Sequence, residues 1–173
     1  YDFRSVLLIC DDRKGRVKGF AQISVDPDLR FGFLDLIALA DSSKGGGLGA
    51  ALYERVQEEC VSLELDWLFF ECLTDLPRYN ADPALLKENK ARLRFYERLG
   101  ARPVMNTLYE RPRKANAGNA YFLMFDELDG DRQLDRASAV AIVQAILRRK
   151  YKSALAPTAI NEILASFSDD PVA

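Results

Sequence analysis

The sequence contains no histidine in its 173 residues, and this absence removes several kinds of site. Without an imidazole there is no Ser-His-Asp triad, no Cys-His pair and no zinc site built on histidine. Any acid or base must therefore be an Asp, Glu, Tyr, Lys or Cys side chain. Most familiar hydrolases are excluded, and we expect no metal cofactor.

Cysteines are few, and long apolar runs are missing. Cys10, Cys60 and Cys72 are odd in number and form no CxxC pair, which favours reduced thiols buried in the core and a cytoplasmic location. No apolar run approaches the roughly 18 residues of a membrane span, and no signal-peptide pattern follows Tyr1. We therefore expect a soluble chain without a membrane partner, and its start without Met suggests a processed chain or a fragment.

The apolar periodicity predicts an α+β fold with a mixed, mostly antiparallel central sheet flanked by helices. The order βββαβαββ is followed by two C-terminal helices. Strands are predicted at 5–10, 17–25, 31–40, 67–73, 104–109 and 121–125, and helices at 48–63, 85–99, 137–151 and 158–167. A change of composition divides the chain into a core at 1–128 and a helical extension at 129–173.

Three consecutive glycines, Gly45, Gly46 and Gly47, separate the third predicted strand from the first predicted helix. Converging backbone N–H groups and a helix N-terminus favour an anion such as phosphate at this position. Gly45-x-Gly47-x-x-Ala50 also satisfies a dinucleotide fingerprint, with Glu71 near the ribose-binding spacing. The hairpin that precedes the strand argues against that alternative, and no Lys-Ser or Lys-Thr follows for a Walker loop.

The segment 39–52 (LADSSKGGGLGAAL) resembles the acetyl-CoA pyrophosphate loop of the GNAT superfamily of N-acyltransferases. Lys44, Gly47 and Gly49 occupy the motif positions, with Lys in place of the usual Arg or Gln. The segment 89–100 (NKARLRFYERLG) resembles the family's Asn-containing helix. The resemblance covers about 6–125 and implies acetyl transfer from acetyl-CoA to a primary amine by direct attack in a ternary complex.

The resemblance also implies roles for individual residues. Backbone groups of Ile37, Ala38 and Leu39 would hold the pantetheine, and Asn89 would bind the pantetheine arm. Tyr96 would protonate the departing sulfur, although a core aromatic is the alternative. The pyrophosphate would bind to the loop formed by Lys44, Gly45, Gly46, Gly47, Leu48, Gly49 and Ala50.

For the catalytic base we nominate Asp35 and Glu71, because each is an acidic residue inside an otherwise apolar strand. Carboxylates on a half-exposed sheet face are the ordinary alternative, and deprotonation through water is another. Covalent catalysis by Cys72 lacks the cationic neighbour that an activated thiol needs.

Several questions stay open at this point. Family members begin with a further strand and helices that wall the acceptor pocket, and these elements are missing here, so either the chain is a fragment or its last two helices replace them. The acceptor is a small-molecule or peptide amine, and a homodimer or a fusion to another domain is compatible with the sequence. Basic runs at 111–114 and 148–150 are typical of solvated faces, and nucleic acid is not supported as a partner. The alternative functions are a non-catalytic acyl-CoA-binding or regulatory module and a dinucleotide-binding protein.

Overall fold

The computed structural model describes residues 3–43, 45–110, 120–128, 130, 132–151 and 155–172. Their order is three strands, a helix, a strand, a helix, two strands and two helices, which confirms the predicted α+β fold. The strands are β1 (Arg4–Asp11), β2 (Val17–Asp26), β3 (Phe31–Leu39), β4 (Trp67–Leu73), β5 (Arg102–Pro103) and β6 (Tyr121–Glu127). The helices are α1 (Leu48–Ser62), α2 (Pro83–Glu97), α3 (Arg136–Lys150) and α4 (Pro157–Ala165).

All six strands belong to one mixed sheet in the order β1-β2-β3-β4-β6-β5. The first three strands form an antiparallel meander, as their alternating sequences predict. Strand β4 then pairs with β3 in parallel, because the connection through α1 returns the chain to the end of the sheet at which β3 begins. Strand β5 is antiparallel to β6.

The chain forms two compact units, Tyr1–Phe70 with Asp126–Gly130 and Glu71–Phe125 with Asp131–Ala173. This division into compact units does not test the predicted domain boundary between residues 128 and 129, which stays a prediction.

The core of the first unit lies between α1 and the sheet. Tyr53 of α1 and Phe70 of β4 are buried, and their rings meet edge to face with centroids 5.8 Å apart. A Cβ atom at Gly32 would lie 3.2 Å from the Cys60 sulfur and 3.2 Å from a methyl group of Ile23, so a larger residue would force α1 away from β3. The glycine therefore allows the close packing that fixes the helix after the glycine loop.

In the second unit, polar contacts join the residues around the start of α3 to those that follow α4. Arg136 Nε donates to the Phe167 carbonyl at 2.6 Å, and the N–H of Val172 donates to the Leu134 carbonyl at 2.8 Å. Helix α3 begins at an N-cap carboxylate, Asp135, which accepts from the Ser138 N–H. These contacts hold the start of α3 and the residues after α4 together.

The predicted strand at 104–109 is wrong. The two-residue strand β5 ends just before these residues, at Pro103, and a 3₁₀ turn follows at Leu108–Glu110. Asn106 has φ 59°, a left-handed conformation that interrupts an extended strand. The Leu108 N–H donates to Ser166 Oγ at 2.8 Å, so a residue far along the chain stabilises the turn.

Among the residues that the structure describes, no helix combines the length and apolar character needed to cross a membrane.

Candidate functional site

Strand β3 has two halves that differ in their pairing. Phe31–Leu34 pairs in parallel with 67–70 of β4 and antiparallel with β2. The parallel pairing of β3 with β4 ends at Leu34 and Phe70, while the antiparallel pairing of β3 with β2 continues to Leu39. On the β4 side, the backbone groups of the second half lie beyond that ladder, and the predicted pantetheine-binding residues Ile37, Ala38 and Leu39 belong to this half.

The glycine loop follows β3 after a 3₁₀ turn at Asp41–Ser43. Gly45 and Gly47 have φ 86° and 79°, a region that L side chains rarely adopt. A Cβ atom added at Gly45, Gly46 or Gly47 would meet no heavy atom within 4 Å, so open space lies beside the loop. Lys44 lies outside the described residues.

Helix α1 begins directly from this loop with Gly47 at its N-cap, where no side chain supplies a capping hydrogen bond. Its first recorded main-chain bond runs from the Ala51 N–H to the Gly47 carbonyl at 3.1 Å. Leu48, Gly49 and Ala50 belong to the first turn, whose N–H groups have no acceptor inside a helix. Their amides and the helix dipole favour an anion in the open space beside the loop.

Asp35, one of the two nominated bases, lies at the start of the second half of β3. Its carboxylate is half-buried and accepts a 2.5 Å hydrogen bond from Ser24 Oγ on β2. Its partner is therefore a neutral hydroxyl.

Asn89 and Tyr96 lie two turns apart on the buried face of α2, 4% and 8% exposed. Asn89 Nδ2 donates to the Thr74 carbonyl at 2.9 Å, so the residue predicted to bind pantetheine also fixes the segment that follows β4. This segment ends at Asp82, which caps α2 by accepting from the Ala84 N–H.

Burial, and to a smaller extent the neighbouring Cys72, raises the pKa of Tyr96 to about 12, while Arg92 opposes the shift. A phenol with this pKa keeps its proton at neutral pH and can donate it. Burial likewise raises the pKa of the Cys72 thiol to about 11. Cys72 is therefore a protonated core thiol, as expected, rather than an activated nucleophile.

Glu71, the other nominated base, is the centre of a polar cluster in the second unit. Its side chain is 7% exposed. Tyr109 Oη donates to Oε1 at 2.8 Å, and Tyr151 Oη lies 2.8 and 2.9 Å from Oε1 and Oε2. The Lys150 ammonium lies 3.2 Å from Oε2. We call Glu71, Tyr109, Lys150 and Tyr151 the Glu71 cluster.

The acid and base candidates of the second unit are not brought together. Glu71 and Cys72 are consecutive on β4, so their side chains point to opposite faces of the sheet. Tyr96 interacts with Cys72, whereas the Glu71 cluster forms on the other face.

The sequence did not identify the partners of Glu71 and Asp35, namely Tyr109, Lys150, Tyr151 and Ser24. Tyr109 and Tyr151 lie 38 and 80 residues from Glu71 along the chain. The only local signal was the basic last turn of α3. The basic run at 111–114 lies outside the described residues.

No group of three or more His, Cys, Asp and Glu side chains that could hold a metal ion occurs in the described part of the chain.

Comparison with known proteins supplies the family. Residues 1–101 match the model of the acetyltransferase (GNAT) family, and this match includes both the glycine loop and α2. The sequence has no match among curated proteins.

Solved structures with the same fold include three named acetyltransferases, each aligned over 72% of this chain. Nourseothricin acetyltransferase is 20% identical with 65% of its own chain covered (TM-score 0.53), so this chain spans about two thirds of its length. An acetyltransferase from Bacillus cereus is 12% identical with 74% covered (TM-score 0.53). Spermidine N-acetyltransferase from Vibrio cholerae, in complex with CoA and spermine, is 15% identical with 66% covered (TM-score 0.55).

Proposed function

The chain belongs to the acetyltransferase (GNAT) family of acyltransferases, and from this premise we propose that it transfers an acetyl group from acetyl-CoA to a primary amine. The observation that carries the proposal is the glycine loop before α1. It combines two glycines at positive φ, open space beside them and a helix start without a capping side chain. Such a loop suits the pyrophosphate of the coenzyme.

The reaction requires proton transfers and a substitution at the acetyl carbon. The ammonium of the acceptor loses one proton, its nitrogen forms a bond to that carbon and loses a second proton, and the carbon–sulfur bond breaks. The departing thiolate then takes a proton. The amine and the thioester meet in a ternary complex, so no covalent acetyl-enzyme is needed.

Main-chain groups hold the coenzyme in this proposal. The amides of 45–50 bind the pyrophosphate, and Lys44 adds a positive charge. Residues 37–39, beyond the parallel ladder, bind the pantetheine and polarise the thioester carbonyl. Asn89 orients the pantetheine arm from the buried face of α2.

Tyr96 returns the proton to sulfur, because its raised pKa keeps the phenol protonated at working pH. Asp35 and Glu71 are the candidates for the base in this proposal. Asp35 accepts from the neutral hydroxyl of Ser24, whereas the carboxylate of Glu71 is paired with the Lys150 ammonium.

The acceptor is a small aliphatic amine in this proposal. Its support is the fold shared with a spermidine N-acetyltransferase whose structure contains spermine. The free cysteines favour a reducing compartment, which we take to be the cytoplasm. A neighbour of the same fold is described as dodecameric, and for this chain a homodimer or fusion stays a prediction.

The test begins with binding. Acetyl-CoA at 100 times its dissociation constant would stabilise the folded chain by about 2.7 kcal/mol, whereas NAD at the same concentration should not stabilise it. Both molecules carry an adenosine and a pyrophosphate, so the comparison excludes a general nucleotide effect. Release of free thiol from acetyl-CoA is then followed with spermidine and with n-butylamine.

Three outcomes have different meanings. Binding of acetyl-CoA with thiol release that depends on the amine supports the proposal. Binding without turnover identifies the non-catalytic module, and stabilisation by NAD alone identifies the dinucleotide alternative.

A further inference from the structure

Lys150 places a primary ammonium against a buried carboxylate. The lysine is the last residue of α3, and its side chain is 33% exposed, whereas that of Glu71 is 7% exposed. Arg148 and Arg149 in the same helical turn are exposed. The ammonium therefore reaches a buried acceptor from the surface.

Tyr109, Tyr151 and Lys150 contact the two oxygens of the Glu71 carboxylate. Tyr109 donates to Oε1, and Tyr151 lies within reach of both oxygens. The ammonium of Lys150 lies 3.2 Å from Oε2. Two phenols thus hold the carboxylate in place, and a cation lies beside Oε2.

We propose that Glu71, Tyr109 and Tyr151 form an ammonium-binding subsite for the acceptor amine, and that Lys150 occupies this subsite as an internal competitor. The inference rests on the proposed function and deepens it. It specifies an unbranched aliphatic ammonium, since the lysine side chain is itself a four-carbon stem ending in one.

Lys150 is the member of the cluster that can be displaced. Tyr109 is 1% exposed and Glu71 lies within a strand, so neither can leave without disrupting the core. Lys150 ends a helix, and its stem is partly in water. An incoming ammonium restores the charge balance of the buried carboxylate, so the exchange leaves no buried charge unpaired, and the displaced lysine moves toward water.

The experiment uses Lys150→Ala and n-butylammonium chloride, which carries the four carbons and the ammonium that the substitution removes. Thermal unfolding and calorimetric titration are performed without coenzyme. Butylammonium should bind the Lys150→Ala protein at least tenfold more tightly than the unmodified protein. Arg149→Ala, which removes a positive charge from the same turn, should bind it no better than the unmodified protein does.

Two further controls test the carboxylate. The double variant Lys150→Ala/Glu71→Gln should lose the gain in affinity, and 1-butanol should not stabilise Lys150→Ala. If the double variant does not fold, the comparison with butanol carries the same distinction. Equal binding to the unmodified and Lys150→Ala proteins, or equal stabilisation by butanol, would overturn the subsite.

The outcomes for the subsite and for the proposed function are separable. Tight butylammonium binding without acetyl transfer would keep the subsite and reject the function. Acetyl transfer to butylamine whose KM is the same in the unmodified and Lys150→Ala proteins would keep the function and reject Lys150 as a competitor.

Discussion

The glycine loop and the Glu71 cluster are built in contrasting ways, each within its own unit. The loop offers main-chain amides, and it works because Gly45, Gly46 and Gly47 add no side chains. The Glu71 cluster consists entirely of side chains, and two tyrosines and a lysine meet one carboxylate. The first arrangement depends on consecutive residues, and the second depends on the tertiary fold.

This difference explains why only one of the two regions could be found in the sequence. A glycine run between a strand and a helix has a fixed spacing and a known physical consequence. No spacing relates Glu71 to Tyr151, because the fold brings together residues that lie 80 positions apart. A local motif can be found by reading along the chain, whereas a cluster of distant residues needs the structure.

The largest effect is expected from a side chain in the glycine loop. Gly47→Val places a β-branched residue at φ 79°, which costs about 1–2 kcal/mol in backbone strain and fills the space proposed for the pyrophosphate. We expect at least a 100-fold loss of acetyl-CoA affinity by calorimetry. Gly15→Val is the matched control, because Gly15 has φ 72° and open surroundings in the β1–β2 turn. Equal coenzyme affinities for the two variants would reject the loop assignment.

A smaller and more selective effect is expected from Tyr96→Phe. General acid catalysis contributes about 100-fold or more, so turnover should fall by that factor while acetyl-CoA affinity changes less than twofold. Because the Tyr96 pKa is about 12, the phenol stays protonated below that pH, and its ionisation should not reduce turnover between pH 7 and 10.

Tyr53→Phe is the control for this substitution. Tyr53 is as well buried as Tyr96, and its hydroxyl donates to Asp126 at 2.8 Å. The control should lose stability without the selective loss of turnover. Unchanged turnover in Tyr96→Phe would remove Tyr96 from the mechanism.

The third prediction compares the stabilities of the two carboxylates. Glu71→Gln leaves the Lys150 ammonium without its ion-pair partner, which we expect to cost about 1–3 kcal/mol because water screens the partly exposed lysine. Asp35→Asn weakens only the hydrogen bond from Ser24, at about 0.5–1.5 kcal/mol. Urea unfolding with unchanged m-values measures both. A larger loss in Asp35→Asn would contradict this ranking.

The smallest effect concerns the thiols. Burial raises the pKa of Cys60 to about 12 and that of Cys72 to about 11. At pH 8 a thiol of pKa 11 is ionised in about one molecule per thousand. Iodoacetamide should therefore modify half-buried Cys10 first, and the other two only after urea unfolding, as followed by mass spectrometry. Modification of Cys72 at the rate of Cys10 would show that the core is more open.

The fold was more predictable than the details of the site. Strand β4 begins and ends at the predicted residues, because a short run of bulky apolar residues bounded by polar turns strongly favours a strand. Residues 104–109 were also predicted as a strand, yet Asn106 adopts a left-handed conformation and the Leu108 N–H donates to Ser166 Oγ, 58 residues away. Asn89 and Tyr96 are seven residues apart, so the predicted helix places them on one face, whereas the hydrogen bonds of Asn89 and Glu71 depend on tertiary contacts.

Helix α1 begins without a capping side chain, so the amides of its first turn can report on ligand binding. Its first-turn amides have no acceptor within the helix, and Gly47 has no side chain to supply one. In water these protons exchange rapidly, and an anion that accepts from them would slow their exchange with deuterium. The rates at residues 48–50 would then record occupancy residue by residue, before any product is formed.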